Sequence, residues 1–174
     1  MFYAELPKFF LLTLLFSFAA SAQNTSETHS KIRNAVENKD YQNAVVELQT
    51  LERTDKKIFA LNNYDYLLAR MAERAGDFAT ATASYQAVVN RNSVLSEYAL
   101  WHLSQIFRAS GNLFVERIYL HKLLTLAPES LLTDAANARL MRSYFESKDY
   151  ETTIKLIVSG ERRAASGESL KVKN

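Results

Sequence analysis

Three arginines stand out as groups able to do chemistry at near-regular intervals: Arg70, Arg108 and Arg142, separated by 38 and 34 residues. A guanidinium offers a planar fork of donors that matches a carboxylate bidentately, so a row of them suits an acidic peptide or a C-terminal carboxylate. Asn62, Asn63, Tyr66, His102, Gln105 and Arg139 accompany them at helical spacings. Together these nine residues are the expected partner-binding surface. The histidines are His29, His102 and His121. His102 and His121 fall on the two helices of one expected hairpin, but two ligands are too few for a structural zinc site, and no metal site is expected. Glu47 with Glu52, Glu73 with Asp77, and Glu146 with Asp149 are local carboxylate pairs on helix faces or at turns, beside lysine and arginine. Their types fit acid–base work, but their setting fits solvated helix charge. The chain has no G-x-x-x-x-G-K-S/T, G-x-G-x-x-G or G-x-S-x-G run, so phosphate cradles and nucleophile elbows are unsupported. Neither a catalytic residue nor a cofactor is expected.

The elements that would carry these residues show in an internal repeat. Lys39-Asp40-Tyr41, Gly76-Asp77-Phe78, Gly111-Asn112-Leu113 and Lys148-Asp149-Tyr150 recur at spacings of 37, 35 and 37 residues. The first residue of each triplet suits a left-handed helix C-terminus, and the second suits the N-cap of a following helix. Lys39 and Lys148 replace glycine, at some conformational cost. Flanking positions repeat in phase. Four residues before the turn stand Ala35, Ala72, Phe107 and Tyr144, and eight before three of the turns stand Leu68, Leu103 and Leu140. Five after the first two turns come Ala44 and Ala81; nine after all four come Leu48, Tyr85, Leu120 and Ile157. The unit is a helix, a tight turn and a second helix. Eight helices are expected near 28–38, 41–53, 60–75, 78–91, 94–110, 113–127, 131–147 and 150–159, with Pro128 stopping the sixth. The apolar edge of the last two is expected to be exposed and to seek a partner.

Composition agrees. The chain has 174 residues, only two prolines and four glycines, and no cysteine. Few turn residues disfavour an all-β fold. The lack of cysteine excludes disulfides, thiolate metal sites, cysteine nucleophiles and a lipid-modified N-terminal cysteine. A net charge of +2 with no long basic run gives no reason to invoke nucleic acid.

These positions resemble the tetratricopeptide repeat, whose pattern runs leucine, small residue, aromatic, Gly-Asp-Tyr, alanine, aromatic, alanine, proline. The second unit matches best, with Leu68, Ala69, Ala72, Gly76, Asp77, Phe78, Ala81 and Tyr85; the third keeps Leu103, Ser104, Gly111, Asn112 and Pro128 but has Glu116 where alanine is expected. The first and fourth are degenerate. The resemblance spans residues 28–159 and implies an all-α solenoid of about four hairpins, whose first helices present a concave binding face. Within it, the segment from Ala60 to Leu124 is similar to the helical N-terminal region of bacterial soluble lytic murein transglycosylases. That likeness implies a periplasmic setting and contact with peptidoglycan. Glu129-Ser130 and Glu168-Ser169 match the Glu-Ser half of that family's catalytic signature, but no Gly-Leu-Met-Gln motif follows either.

The leading residues resemble an export signal. Lys8 precedes the apolar run Phe9 to Ala20, and Ala20-Ser21-Ala22 has the small-x-small form that a signal peptidase needs. The run is short of the roughly 20 residues that cross a bilayer, so contact with a membrane is expected only in transit. The expected organisation is a signal peptide over 1–22, a linker over 23–27, the repeat domain over 28–159 and a polar, disordered tail over 160–174. The expected role is an exported, periplasmic scaffold for protein or peptide partners, without catalysis of its own. The alternative is a truncated N-terminal piece of a lytic transglycosylase acting on peptidoglycan.

Overall fold

A computed structural model describes residues 27–165 of the chain. The expected signal peptide, the linker up to residue 26 and the last nine residues of the expected tail lie outside them. The described residues are all helical, with no strand. The helices are α1 (27–37), α2 (Tyr41–Thr54), α3 (Lys56–Leu61), α4 (Tyr64–Ala75), α5 (Phe78–Asn90), α6 (Ser96–Ala109), α7 (Leu113–Leu126), α8 (Thr133–Glu146) and α9 (Tyr150–Ala165). They fall into two compact units that divide between Asp77 and Phe78.

The repeated triplets all form one kind of turn. Lys39, Gly76, Gly111 and Lys148 have φ of 59°, 79°, 77° and 62°. Each donates its N–H to the carbonyl three residues back: Val36, Glu73, Arg108 and Phe145. The next residue, Asp40, Asp77, Asn112 or Asp149, donates to the carbonyl five back, on Ala35, Ala72, Phe107 or Tyr144, at 2.9–3.0 Å. This pair of bonds is the Schellman motif. Three of the turns then start the next helix in the same way, with Asp40, Asn112 and Asp149 accepting from the N–H of Asn43, Val115 and Thr152 at 3.1 Å. One turn thus satisfies the open carbonyls of one helix and the open amides of the next.

In the first unit, α2 packs on α4, and α3 packs on both. Ala44 and Leu48 of α2 are wholly buried, as is Ala72 of α4, and Leu68 nearly so. Arg74 of α4 lies over the Tyr41 ring and donates to its hydroxyl at 3.2 Å. In the second unit each helix packs on the next, from α5 to α9. Ala81, Tyr85, Leu103, Glu116 and Leu120 are wholly buried there, and Leu140 nearly so. Gln86 of α5 also donates to the Tyr119 hydroxyl of α7 at 2.9 Å.

Three expectations change. The single helix expected over 60–75 is two. Asp55 caps α3 by accepting from the Ile58 N–H at 2.9 Å, and Asn63 takes a left-handed conformation, φ 53°, at the start of α4. Asparagine tolerates that conformation, so Asn62-Asn63 breaks the helix despite unbroken apolar spacing. The helices expected from 94 and 131 begin two residues later, at Ser96 and Thr133. Ser93 and Ser130 explain both: their hydroxyls accept from the N–H of Leu95 and Leu132, and their carbonyls from Ser96 and Thr133. Such local bonds compete with the helix. The last helix runs to Ala165 rather than 159. Gly160 costs about 1 kcal/mol against alanine inside a helix, and the helix formers after it outweigh that. As expected, α7 ends before Pro128, with Ala127 extended at φ −137° and ψ 65°.

Gly111 has open space where a Cβ would stand, so only its positive φ opposes a side chain. Gly111→Ala is expected to lower unfolding stability by about 1 kcal/mol. Lys148→Gly, at the equivalent turn, is expected to raise it by up to about 1 kcal/mol, strain relief outweighing added freedom of the unfolded chain. Urea unfolding midpoints of the two variants, moving in opposite directions, check this.

Candidate binding surface

The residues expected to bind a partner are placed by one helix junction and three helix faces. In the first unit, Asn62 and Asn63 form the break between α3 and α4. The Asn62 side chain donates to the Ile58 carbonyl at 3.0 Å. The Asn63 carbonyl accepts from the N–H of Tyr66 and Leu67. Both residues therefore build the turn as well as facing outward. Tyr66 and Arg70 stand one helical turn apart on α4 and are half-buried. Arg70 is ion-paired to Glu73 at 2.9 Å.

In the second unit, α6 carries His102, Gln105 and Arg108, and α8 carries Arg139 and Arg142. The His102 ring lies flat on the buried Tyr85 ring, 5.2 Å between centroids and 4° between planes. Gln105 is half-buried beside it. Arg108 is the hub of an ion network. One guanidinium nitrogen donates to both oxygens of Glu116 at 3.3 Å, and the other to Glu146 at 2.7 and 2.8 Å. Arg142 donates to Glu146 at 2.8 Å. Arg139 stands 3.5 Å from Glu116 and lies over the Trp101 ring at 5.2 Å.

The arginines of the expected basic row all have partners. Arg70, Arg108 and Arg142 are each matched to a carboxylate of their own unit, so none is an unclaimed cation. Arg108 is also out of phase with the other two. Arg70 and Arg142 stand six residues before their turns, at Gly76 and Lys148, but Arg108 stands three before Gly111. Gln105 is the residue in phase.

The charges tune one another. The hydrogen bond to Glu146 raises the Arg108 guanidinium above its ordinary value. Hydrogen bonds from Arg108 and Arg142 hold the Glu146 carboxyl below the usual range. Burial lowers Arg139, and the neighbouring positive charges of Arg108 and Arg142 add to that against the pull of Glu116.

Glu116 has no exposed side-chain area. It stands five residues after Gly111, the position held by the buried Ala44, Ala81 and Thr153 in the other repeats. A carboxylate in phase with buried alanines was the readable signal of this network; its partners Arg139 and Glu146, a repeat away, were not readable. A second cluster ties α7 to α8. Arg117 donates to the Ser143 carbonyl and hydroxyl at 3.2 and 3.3 Å and to the Ser147 hydroxyl at 2.8 Å, with its guanidinium 4.7 Å from the Tyr144 ring centre. The Tyr144 hydroxyl is 3.1 Å from His121 Nε2. His102 and His121 thus have separate partners and do not share a site. No group of three histidine or acidic side chains able to hold a metal is found among the described residues. No helix among them is long and apolar enough to cross a membrane.

The first unit holds one feature that sequence reasoning missed, a cleft of about 360 Å³ between α1 and α2. Asn34, Asn38 and Asn43 line it, with Lys31, Asp40 and Glu47. Its amides and charges suit a polar, hydrogen-bonding ligand.

No protein-family model matches the chain, and no curated protein matches it.

The network yields two expected outcomes. Glu116→Ala restores the alanine of the first two repeats, but it leaves the partly buried Arg139 without its carboxylate and Arg108 with Glu146 alone. Breaking a fully buried pair costs about 3–5 kcal/mol; the arginines are about a fifth exposed, so a loss of about 1–3 kcal/mol in urea unfolding is expected. The depressed Glu146 carboxyl contributes stability that is complete above its ordinary value of 4.5 and is lost as pH falls through its lower folded value. The melting temperature is therefore expected to fall on acidification below about pH 4.5, and less steeply in Glu146→Gln. Asp149, held low by the Thr152 N–H, sustains the remaining slope.

Proposed function

We propose that the chain is an exported tetratricopeptide-like repeat protein that works by holding a protein or peptide partner in the periplasm, without catalysis of its own. The observation that carries this reading is the turn repeated at 37, 35 and 37 residues. Each copy has a left-handed residue, the same two backbone bonds and a buried position five residues on. Repeats built this way bury their apolar residues between neighbours and leave polar helix faces for recognition.

The paired arginines narrow the kind of binding. Arg70, Arg108, Arg139 and Arg142 offer guanidinium groups already part-neutralised, so a strongly acidic ligand gains little from charge alone and must displace Glu73 or Glu146. Recognition then rests on hydrogen bonds and stacking, from Tyr66 in the first unit and from Gln105 in the second, with the outer edges of each unit's own arginines. This favours a mixed polar peptide over a poly-acidic one. Export rests on the apolar run from Phe9 to Ala20 and the Ala20-Ser21-Ala22 site.

The test is expression of the full chain in a Gram-negative host. The expected product is a periplasmic protein whose intact mass corresponds to a chain beginning at Gln23. Immobilised in its exported form, it is expected to retain a discrete periplasmic protein that is lost in the Tyr66→Ala/Gln105→Ala double variant while helicity is kept. Cytoplasmic retention with the leader intact overturns the export reading. Equal capture by the double variant overturns the assigned surface. Sedimentation with purified murein sacculi in place of protein capture would favour the peptidoglycan reading.

A further inference from the structure

The last helix carries an apolar face that the fold leaves uncovered. Tyr150, Ile154, Ile157 and Val158 stand at i, i+4, i+7 and i+8 on α9, a single stripe of a helix. Their exposures are 53, 61, 44 and 38%, while Thr153, on the opposite side of the stripe from solvent, is buried. Phe145 of α8, 58% exposed, extends the stripe by packing edge-on to Tyr150 at 5.6 Å. Single exposed apolar residues are ordinary, but five contiguous ones with two aromatics mark an interaction site.

We infer that this face binds a second copy of the chain through a two-fold antiparallel pairing of α9 with α9. Charge complementarity selects that occupant. Glu151 and Lys155 form an i, i+4 pair at 2.6 Å, and both are largely exposed, at 81 and 70%. At 100° per residue they lie on the same side of the stripe. In an isologous two-fold contact a residue that meets another is met by it in return. With the axis between Thr153 and Ile154, Tyr150 of one copy falls against Ile157 of the other. The acidic residue of one flank then comes within a residue of the basic residue of the other flank, twice over. A parallel two-fold pairing would put the two charged flanks on opposite sides of the seam, where neither meets the other. Residues 166–174 bring only Leu170 and Val172 as apolar side chains, two against a five-residue helical stripe. One helix pair with an aromatic anchor lies at the low end of specific interfaces, so association at micromolar concentration is expected.

Sedimentation velocity of the full chain tests this. The expected result is a concentration-dependent monomer–dimer equilibrium, abolished by Ile154→Lys with helicity unchanged. Glu151→Lys gives a flank of two lysines and Lys155→Glu a flank of two glutamates. Each alone is expected to dimerise roughly tenfold more weakly, two favourable pairs having turned repulsive. An equimolar mixture of the two is expected to form a heterodimer at least as tight as the wild type, an effect that fades with salt. The loss of the pair within one helix is common to both variants and cannot produce that recovery. A chain monomeric at all concentrations, a dimer that survives Ile154→Lys, or a mixture no tighter than its components overturns the proposal. So does a monomer that dimerises only when residues 1–22 are deleted, which would assign the stripe to the chain's own apolar segment.

Discussion

A left-handed residue at the end of a helix constrains the start of the next helix; four stand at the repeated triplets, and a fifth, Asn92, ends α5 with the same pair of backbone bonds. At Lys39, Gly76, Gly111 and Lys148 the backbone turns over while its carbonyls are bonded by the next two amides. The residue after each is fixed in space and in rotation about the coming helix axis. Side chains five and nine positions on are therefore committed to one face before any tertiary contact is made. That is why Ala44 and Leu48, Ala81 and Tyr85, and Glu116 and Leu120 are buried alike, although their chemistry differs. The turn also explains why lysine is tolerated at two of the four sites: the bonds closing the turn are all backbone, so only the cost of the positive φ distinguishes lysine from glycine.

The buried Glu116 is a consequence of that same phase. A carboxylate delivered to a position that alanine fills elsewhere must be neutralised where it lands, because an unpaired buried charge is among the most costly features a fold can carry. Arg108, eight residues before it across the turn, and Arg139, from the next repeat, supply the neutralisation. Both are long side chains whose charged ends reach the surface while their stems stay packed. Glu146 and Arg142 then complete a chain of charges spanning α6, α7 and α8. The arginines that look from sequence like a ligand-ready row are thus the counterions of the fold. Any partner that binds there exchanges one set of carboxylates for another, which makes charge a weak source of affinity and geometry the stronger source of specificity.

Backbone-encoded features were legible in the sequence, and features that depend on a distant side chain were not. The turns, the approximate helix extents and the buried positions can be read from residue types at fixed spacing, because glycine, aspartate and asparagine act within a few residues of themselves. The misjudged boundaries come from the same short range acting unnoticed: Ser93 and Ser130 hold two residues out of each following helix, and Asn63 opens a break that apolar spacing alone conceals. The ion pairs of the arginine row were hidden for another reason. Spacings of 38 and 34 look periodic, but measured from the turns Arg108 is three residues out of step with Arg70 and Arg142. The ion pairs that claim it involve Glu146, 38 residues away, and a single sequence carries no mark of such a pairing.

Periodicity likewise states which face of a helix is apolar and leaves open what covers it. Leu48, Tyr85, Leu120 and Ile157 occupy one position in four copies of the repeat, and the first three are wholly buried while Ile157 is 44% exposed. Nothing local separates them: each stands nine residues after a left-handed turn, on a helix capped in the same manner where the cap is seen. In the second unit, Tyr85 is covered because α6 places His102 flat against its ring. Ile157 lies on α9, which packs on α8 and has no later helix among the described residues to lie against its other side. Burial at this position is therefore a property of the neighbouring helix and cannot be read from the position itself. The Phe145–Tyr150 pair and the aligned Glu151 and Lys155 give the face that bears Ile157 aromatic and ionic chemistry beyond its aliphatic side chains.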